Sequence, residues 1–152
     1  MKVDILCMGR LKQGPQQELV QDYLRRMAWP IAVHEYESKK TDASLRQIDE
    51  DRRIREWRTA HATFWVLDER GQSLSSSEMA GRISTLQQNG TPHLQIAIGG
   101  ADGLLDPLRR EANLLLSFGR MTWPHQLVRV MVVEQLYRSQ QILANHPYHR
   151  DG

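Results

Sequence analysis

Residues 94–103 read Leu94-Gln95-Ile96-Ala97-Ile98-Gly99-Gly100-Ala101-Asp102-Gly103. A short aliphatic run passes without a break into a glycine-rich turn. The run predicts a buried strand over Leu94–Ile98. Adjacent glycines allow positive φ and let a ligand come close to the backbone. Asp106-Pro107 comes next and predicts a short helix to about Asn113, with Asp106 as N-cap and Pro107 at the first helical position. Strand, glycine loop and helix in that order make one unit of a parallel α/β sheet.

The same alternation extends in both directions. Upstream, strands are predicted over Lys2–Cys7, Ile31–Tyr36 and Thr63–Leu67, the last a compact β-branched and aromatic run. A helix is predicted from Pro15 to about Met27, with Leu19, Tyr23 and Leu24 as its apolar face, ending before Trp29-Pro30. Thr41 to His61 is heavily charged and predicts a solvated helix anchored by Leu45, Ile48, Ile54 and Trp57. Asp68-Glu69-Arg70-Gly71 predicts a loop. Ser75-x-x-Glu78 has the capping-box form and predicts a helix ending at Asn89-Gly90. Downstream, Leu114–Ser117 predicts a fifth strand and Gln126–Leu143 the last helix, stopped by Asn145-His146-Pro147. Five strands alternating with five helices imply a mostly parallel sheet with helices on both faces, in one domain over residues 1–152. Ligands of such sheets bind beyond the carboxyl ends of the strands. The loops after Leu67, Ile98 and Ser117 are therefore the places to look.

Composition narrows the function classes. Hydrophobic residues are 40% and charged residues 25%, values that fit a folded globular chain and not a disordered one. No apolar run approaches the roughly 20 residues of a membrane span. The start Met1-Lys2-Val3-Asp4-Ile5-Leu6 lacks the features of a secretion signal, so a cytoplasmic protein without a membrane partner is expected. A net charge of +2 permits RNA binding without requiring it. The single cysteine, Cys7, lies in a predicted strand and reads as a buried, inert thiol. The six histidines show no metal-ligand spacing, so no metal site is expected, and His34, His61 and His93 read as structural or surface residues.

Four features can carry chemistry. The Gly99-Gly100-x-x-Gly103 loop reads equally as a ligand loop or a structural turn. Gly119-Arg120-Met121-Thr122-Trp123-Pro124-His125 reads as an ordinary connection or as backbone facing a flat ligand. The last helix has Val128, Val130, Met131, Val132, Val133 and Leu136 on several faces, as in a central core helix or one that also packs on a partner. Glu134 and Arg138 lie on it at i, i+4, in the favourable order. The ending His146-Pro147-Tyr148-His149-Arg150 reads as a frayed polar end or as a segment for phosphate and bases. Arginine pairs bidentately with phosphate, tyrosine and histidine stack on bases, and histidine moves protons near neutral pH.

Taken together, these motifs resemble the RlmH family of SPOUT RNA methyltransferases. The likeness rests on Ile98–Gly103, on Thr122-Trp123-Pro124-His125-Gln126-Leu127-Val128-Arg129-Val130, on Glu134-Gln135-Leu136-Tyr137-Arg138 and on the Asn145–Arg150 ending. Gly9-Arg10-Leu11-Lys12, Tyr23–Arg26, Val66–Gly71 and Ser75–Glu78 extend it over nearly the whole chain. Two positions depart from the family's usual residues: Arg10 stands where lysine is frequent, and Trp123 where a smaller apolar residue is. The resemblance implies an α/β SPOUT fold with a C-terminal trefoil knot, a homodimer, and S-adenosylmethionine held in the knot beside the partner subunit. It implies methylation of N3 of a pseudouridine in large-subunit (23S) ribosomal RNA on the assembled ribosome, with no DNA partner. The implied cofactor contacts are Leu67, Gly99, Gly100, Gly119, Arg120, Met121, Thr122, Trp123 and Pro124. For the chemistry, His125, Glu134 and His149 are the candidate proton acceptors. Arg138 and Arg150 would steady charge or grip phosphate, and Tyr148 would stack or hydrogen-bond. The tail is expected to work in trans. The competing expectations are a SPOUT methyltransferase for another RNA and a non-catalytic ribosome-binding or assembly factor.

Overall fold

The computed structural model describes residues 1–150, so the last two positions of the expected domain lie outside the described residues. The elements are β1 (Lys2–Met8), α1 (Pro15–Arg26), β2 (Ile31–Tyr36), α2 (Ala43–Trp57), β3 (Thr63–Ser73), α3 (Ser76–Gln88), β4 (His93–Ile98), α4 (Asp106–Arg110), β5 (Leu114–Ser117) and α5 (His125–Leu143). The five strands form one sheet in the order β2-β1-β4-β3-β5, and every pairing is parallel. Alternate side chains of each strand enter two separate cores, as the pleat requires. Val3, Ile5 and Cys7 of β1 join Trp65, Leu94, Ile96 and Leu116 under α1, α3 and α5. Leu6 and Met8 join Phe64, Val66 and Ala97 under Ile54 of α2 and Leu108 of α4. The helices thus cover both faces, as expected. Burial pushes the Cys7 thiol up to about 12, which leaves it inert.

Local chemistry explains the helix limits. Asp42 caps α2 by accepting from Leu45 N–H at 3.0 Å. In α3 the capping box is complete: Glu78 N–H donates to Ser75 Oγ at 3.0 Å and Ser75 N–H to Glu78 Oε2 at 2.8 Å. After α5, Asn145 takes φ 56°, the left-handed position that ends many helices.

Three expectations are corrected. The Asp68–Gly71 segment does not end β3: Leu67 and Gln72 both stand opposite Leu116, so residues 68–71 are extruded as a bulge and pairing resumes. Gly71 permits this because a Cβ there would lie 2.5 Å from the Leu115 carbonyl oxygen. The N-cap of α4 is Leu105, not Asp106; Asp106 sits inside the first turn and pairs with Arg109, and the helix stops at Arg110. On α2, Leu45 and Ile48 are 54% and 57% exposed, so they anchor nothing. The stripe facing the sheet is Gln47, Glu50, Ile54 and Trp57, at helical spacing, and it carries a buried acid.

Buried polar groups at the amino ends of the strands are paired, although Asp4 Oδ1 has ionic neighbours and no hydrogen bond. The Gln95 amide donates to Trp57 O at 2.8 Å and accepts from Thr59 N–H at 3.0 Å, tying the end of α2 to β4. Asp4 lies 2.7 Å from His93 Nε2 and 3.4 Å from His34 Nε2. Burial pushes its carboxyl up, but His93, His34 and Lys2 together outweigh that and hold it below the usual range. His34 and His93 are therefore structural, as expected, while His61 is exposed.

Candidate active site

The strand order places the carboxyl ends of β4, β3 and β5 side by side. Three segments leave there: the glycine loop after β4, the β3 bulge, and the loop from β5 to α5. They enclose a cleft of about 1130 Å³. Leu67, Ile98, Leu116 and Val128 form its apolar floor, and Met121 and Trp123 stand at its rim, 75% and 41% exposed. This is the site that parallel α/β sheets use for ligands.

Cross-links hold the walls in place. Ser117 Oγ accepts from Gly119 N–H at 3.0 Å and lies 3.1 Å from the Glu69 carbonyl oxygen, joining β5 to the bulge. Thr122 Oγ1 donates to Glu69 Oε2 at 3.2 Å across the same gap. Trp123 Nε1 donates to the Phe118 carbonyl at 3.3 Å, so the indole closes its own loop. Gly119 makes the turn possible at φ 109°. Asp68 faces Arg109 at 3.2 Å, which ties the bulge to α4.

The glycine loop packs as tightly as it turns. A Cβ on Gly99 would lie 3.0 Å from Leu104 Cγ, and one on Gly100 would lie 2.9 Å from Glu50 Oε2. Arg46 Nε donates to Asp102 at 2.5 Å and Gln47 Nε2 to the Asp102 carbonyl at 2.6 Å, pinning the loop to α2.

His125 opens α5 and lines the cleft. Burial, with the Arg129 cation beside it, holds its pKa below the usual 6.5, so the imidazole is neutral at pH 7. Arg129 is itself 2% exposed. It pairs with Glu35 of β2 and donates to the Gly9 carbonyl at 3.0 Å, while Glu35 also accepts from Leu11 N–H at 2.8 Å. One buried arginine thus binds the loop after β1 to the start of α5, just below His125.

The remaining candidates gather elsewhere. Glu134 Oε1 accepts from Arg138 Nε at 3.0 Å, Arg138 Nη2 at 2.7 Å and Tyr148 OH at 3.0 Å. Arg138 Nη1 lies 3.1 Å from His149 Nδ1, and the Tyr148 and Tyr23 hydroxyls are 3.3 Å apart. Tyr148 stacks edge-on against Tyr137 at 4.9 Å, and Arg26 lies over the Tyr23 and Tyr137 rings. Burial, the Tyr23 hydrogen bond and the Glu134 charge hold the Tyr148 phenol well above its ordinary pKa, so it stays protonated. The tail is therefore docked on α1 and α5 and is not frayed through His149; Arg150 is exposed. Beside it is a hollow of about 220 Å³ lined by Leu19, Tyr23, Phe118, Val130, Met131, Glu134 and Gln135.

Of the nine residues expected at the cofactor, eight line the cleft: Leu67, Gly99, Gly100, Gly119, Met121, Thr122, Trp123 and Pro124. Arg120 is exposed and does not. Of the six expected to carry chemistry, only His125 lines it. Sequence reasoning missed Glu50, Arg129, Glu35 and Glu69. Glu50 had a signal, because an acid four residues before Ile54 and seven before Trp57 interrupts an apolar stripe. Arg129 and Glu35 had none, since their partners lie far apart in sequence. Among the described residues no group of His, Cys, Asp or Glu is placed to hold a metal ion, and no helix is long and apolar enough to cross a membrane.

Comparison with known proteins agrees with this geometry. Residues 1–149 match the family model described as predicted SPOUT methyltransferase. The chain is 46% identical to the ribosomal RNA large subunit methyltransferase H of Mesorhizobium japonicum, over 99% of both chains. It is 43% identical to the proteins of that name from Rhodospirillum centenum and Brucella anthropi, again over 99% of each chain. The chain belongs to the SPOUT methyltransferases and, within them, to the family of ribosomal RNA large subunit methyltransferase H.

Proposed function

We propose that this protein moves a methyl group from S-adenosylmethionine to N3 of a pseudouridine in large-subunit ribosomal RNA, on the assembled ribosome and as a homodimer with a trefoil knot around the donor. One observation carries the two-copy reading: five of the six candidate chemical residues lie outside the cleft, and one of them, Glu134, lines a second hollow that shares only Phe118 with it. A second copy that brings its tail to the cleft completes the site. The exposed Leu19, Leu127 and Met121 supply apolar surface for that contact.

The cleft fits the donor. Its floor is apolar, its glycine loops expose backbone, and among its lining carboxylates Asp68, Asp102 and Asp106 are paired with arginines, which leaves Glu69 to face a cationic ligand. Leu67, Gly99, Gly100, Gly119 and the Met121–Pro124 stretch would hold the adenosine. When bound, S-adenosylmethionine supplies a methyl group already activated on sulfur. The chain must then hold the base nitrogen in line and help its proton leave. His125 suits that second task because it is neutral and in the cleft. Glu134 is less suited as a base, since three donors already occupy one of its oxygens. It serves better to hold Arg138 and Tyr148 in position. Arg138 and Arg150 would steady charge on the base carbonyls or grip phosphate, with His149 set by Arg138.

Mixing two inactive variants tests the shared site. Gly100→Val drives a side chain into Glu50 and displaces the glycine loop that lines the cleft, and deletion of residues 148–152 removes the tail. Each alone should be inactive. Co-refolded, half the dimers are mixed and each holds one complete site, so activity should return to about a quarter of wild type. Absence of recovery, with mixed dimers present, would show that each protomer uses its own tail.

A further inference from the structure

Glu50 has no role in the account so far, and its surroundings are unusual. The side chain is 5% exposed. Its Oε1 atom is fully buried without a hydrogen-bond partner. Its Oε2 atom lies directly behind Gly100, where a Cβ would come within 2.9 Å of it. The other face of Gly100 lines the cleft. The charged groups around Glu50 are Arg46 and Asp49 on its own helix and Asp102 on the glycine loop. Arg46 is committed to Asp102 at 2.5 Å, and Asp49 accepts from Tyr36 OH and from Arg52, each at 2.7 Å. A carboxyl in this position is raised to about 7, first by burial and then by Asp102. It therefore changes charge near neutral pH, one glycine away from the ligand.

Charge also distinguishes the two forms of the donor. When the methyl leaves, the S–C bonding electrons stay on sulfur, and the sulfonium becomes a neutral thioether. We infer that Glu50 is a positioning residue that acts through this charge: its carboxylate behind Gly100 favours the cationic donor over the neutral product, and it takes up a proton once the sulfonium charge is gone. A buried anion with one oxygen left unpartnered is costly until a cation arrives. The donor supplies that cation through a loop too thin to screen it, and the product does not. Donor binding and Glu50 ionisation are then linked, and each favours the other.

This inference rests on the methyl-donor reading of the cleft. The test is titration calorimetry of S-adenosylmethionine and S-adenosylhomocysteine on the full chain and on Glu50→Gln, from pH 6 to pH 8, in two buffers of different ionisation enthalpy. With ionised Glu50 as the competent form, wild-type affinity for S-adenosylmethionine should rise about tenfold over this range. Proton release should accompany binding near the lower end. Affinity for S-adenosylhomocysteine should change far less. In Glu50→Gln the tenfold rise and the proton release should vanish, leaving the small background from His125, which titrates at lower pH in both proteins.

Folding provides an independent readout. Because the folded-state pKa of Glu50 is raised from 4.5 to about 7, the native state binds more protons than the unfolded state between those values. Stability should fall as pH rises through that window, and Glu50→Gln should melt higher than wild type at pH 8. A lower melting temperature there, a tenfold rise that survives in Glu50→Gln, or equal pH dependence for both ligands would each overturn the inference. If the wild-type chain binds neither ligand, the donor reading itself fails.

Discussion

Deleting residues 148–152 should lower methyl transfer by on the order of 10³-fold, the scale on which losing preorganised charge-stabilising groups slows a reaction. Affinity for S-adenosylmethionine should change little. The contrast follows from the placement of the groups. Every expected donor contact except Arg120 lines the cleft, whereas Tyr148 and His149 sit on the α1–α5 surface. Among the described residues the deleted segment contributes none to the cleft lining, so a loss confined to the chemical step is the expected signature. Single-turnover rates and donor titration on the same sample separate the two quantities. A point variant guards against a folding artefact. Arg138→Met keeps the tail and most of the packing, but it leaves Glu134 without its bidentate partner and His149 without its 3.1 Å contact. It should slow transfer in the same way. Full activity in both variants would remove the tail from the mechanism.

Arg129→Met should destabilise the fold by about 3 kcal/mol, the low end for breaking a buried ion pair, because Glu35 is partly solvated. Methionine fills much of the volume but leaves the Gly9 carbonyl without its donor and Glu35 with only Leu11 N–H. The loop after β1 would lose its hold on α5. Chemical denaturation measures the loss. Adding Glu35→Gln should recover part of it, since the orphaned charge goes as well. The same variant carries a pH prediction. Burial and Arg129 together depress the His125 pKa, so removing the guanidinium should raise it toward 6.5. The imidazole would then be protonated over a wider range, and the lower limb of the pH–rate profile should move to higher pH. An unchanged His125 titration would disconnect Arg129 from the site.

Local features of the sequence reported the fold well. The aliphatic run before Gly99, the β-branched run Thr63–Leu67 and the capping box at Ser75 each act through neighbours in the chain, and each element is where those features place it. The glycine loop, open in sequence between a turn and a ligand surface, is both: Gly100 packs on Glu50 from one side and lines the cleft on the other. What stayed hidden depends on distant partners. The second half of β3 is polar, and only Leu116 opposite it shows that pairing resumes after the bulge. Leu45 and Ile48 are apolar yet exposed, because the sheet meets α2 along the Glu50–Ile54–Trp57 line. Arg129 and Glu35 lie on different elements, so neither announces the other. The separation of cleft and tail needed three dimensions as well, since His125 and Glu134 share one helix but face different hollows.

The central claim is methyl transfer to large-subunit RNA, and transfer of labelled methyl from S-adenosylmethionine to ribosomes lacking the modification tests it most directly. Free ribosomal RNA serves as the comparison, and the labelled nucleotide is then mapped. The account predicts label on a single large-subunit pseudouridine, at N3, with assembled ribosomes labelled far better than free RNA. Label confined to another RNA, or none on any ribosomal substrate while the donor still binds, would contradict it.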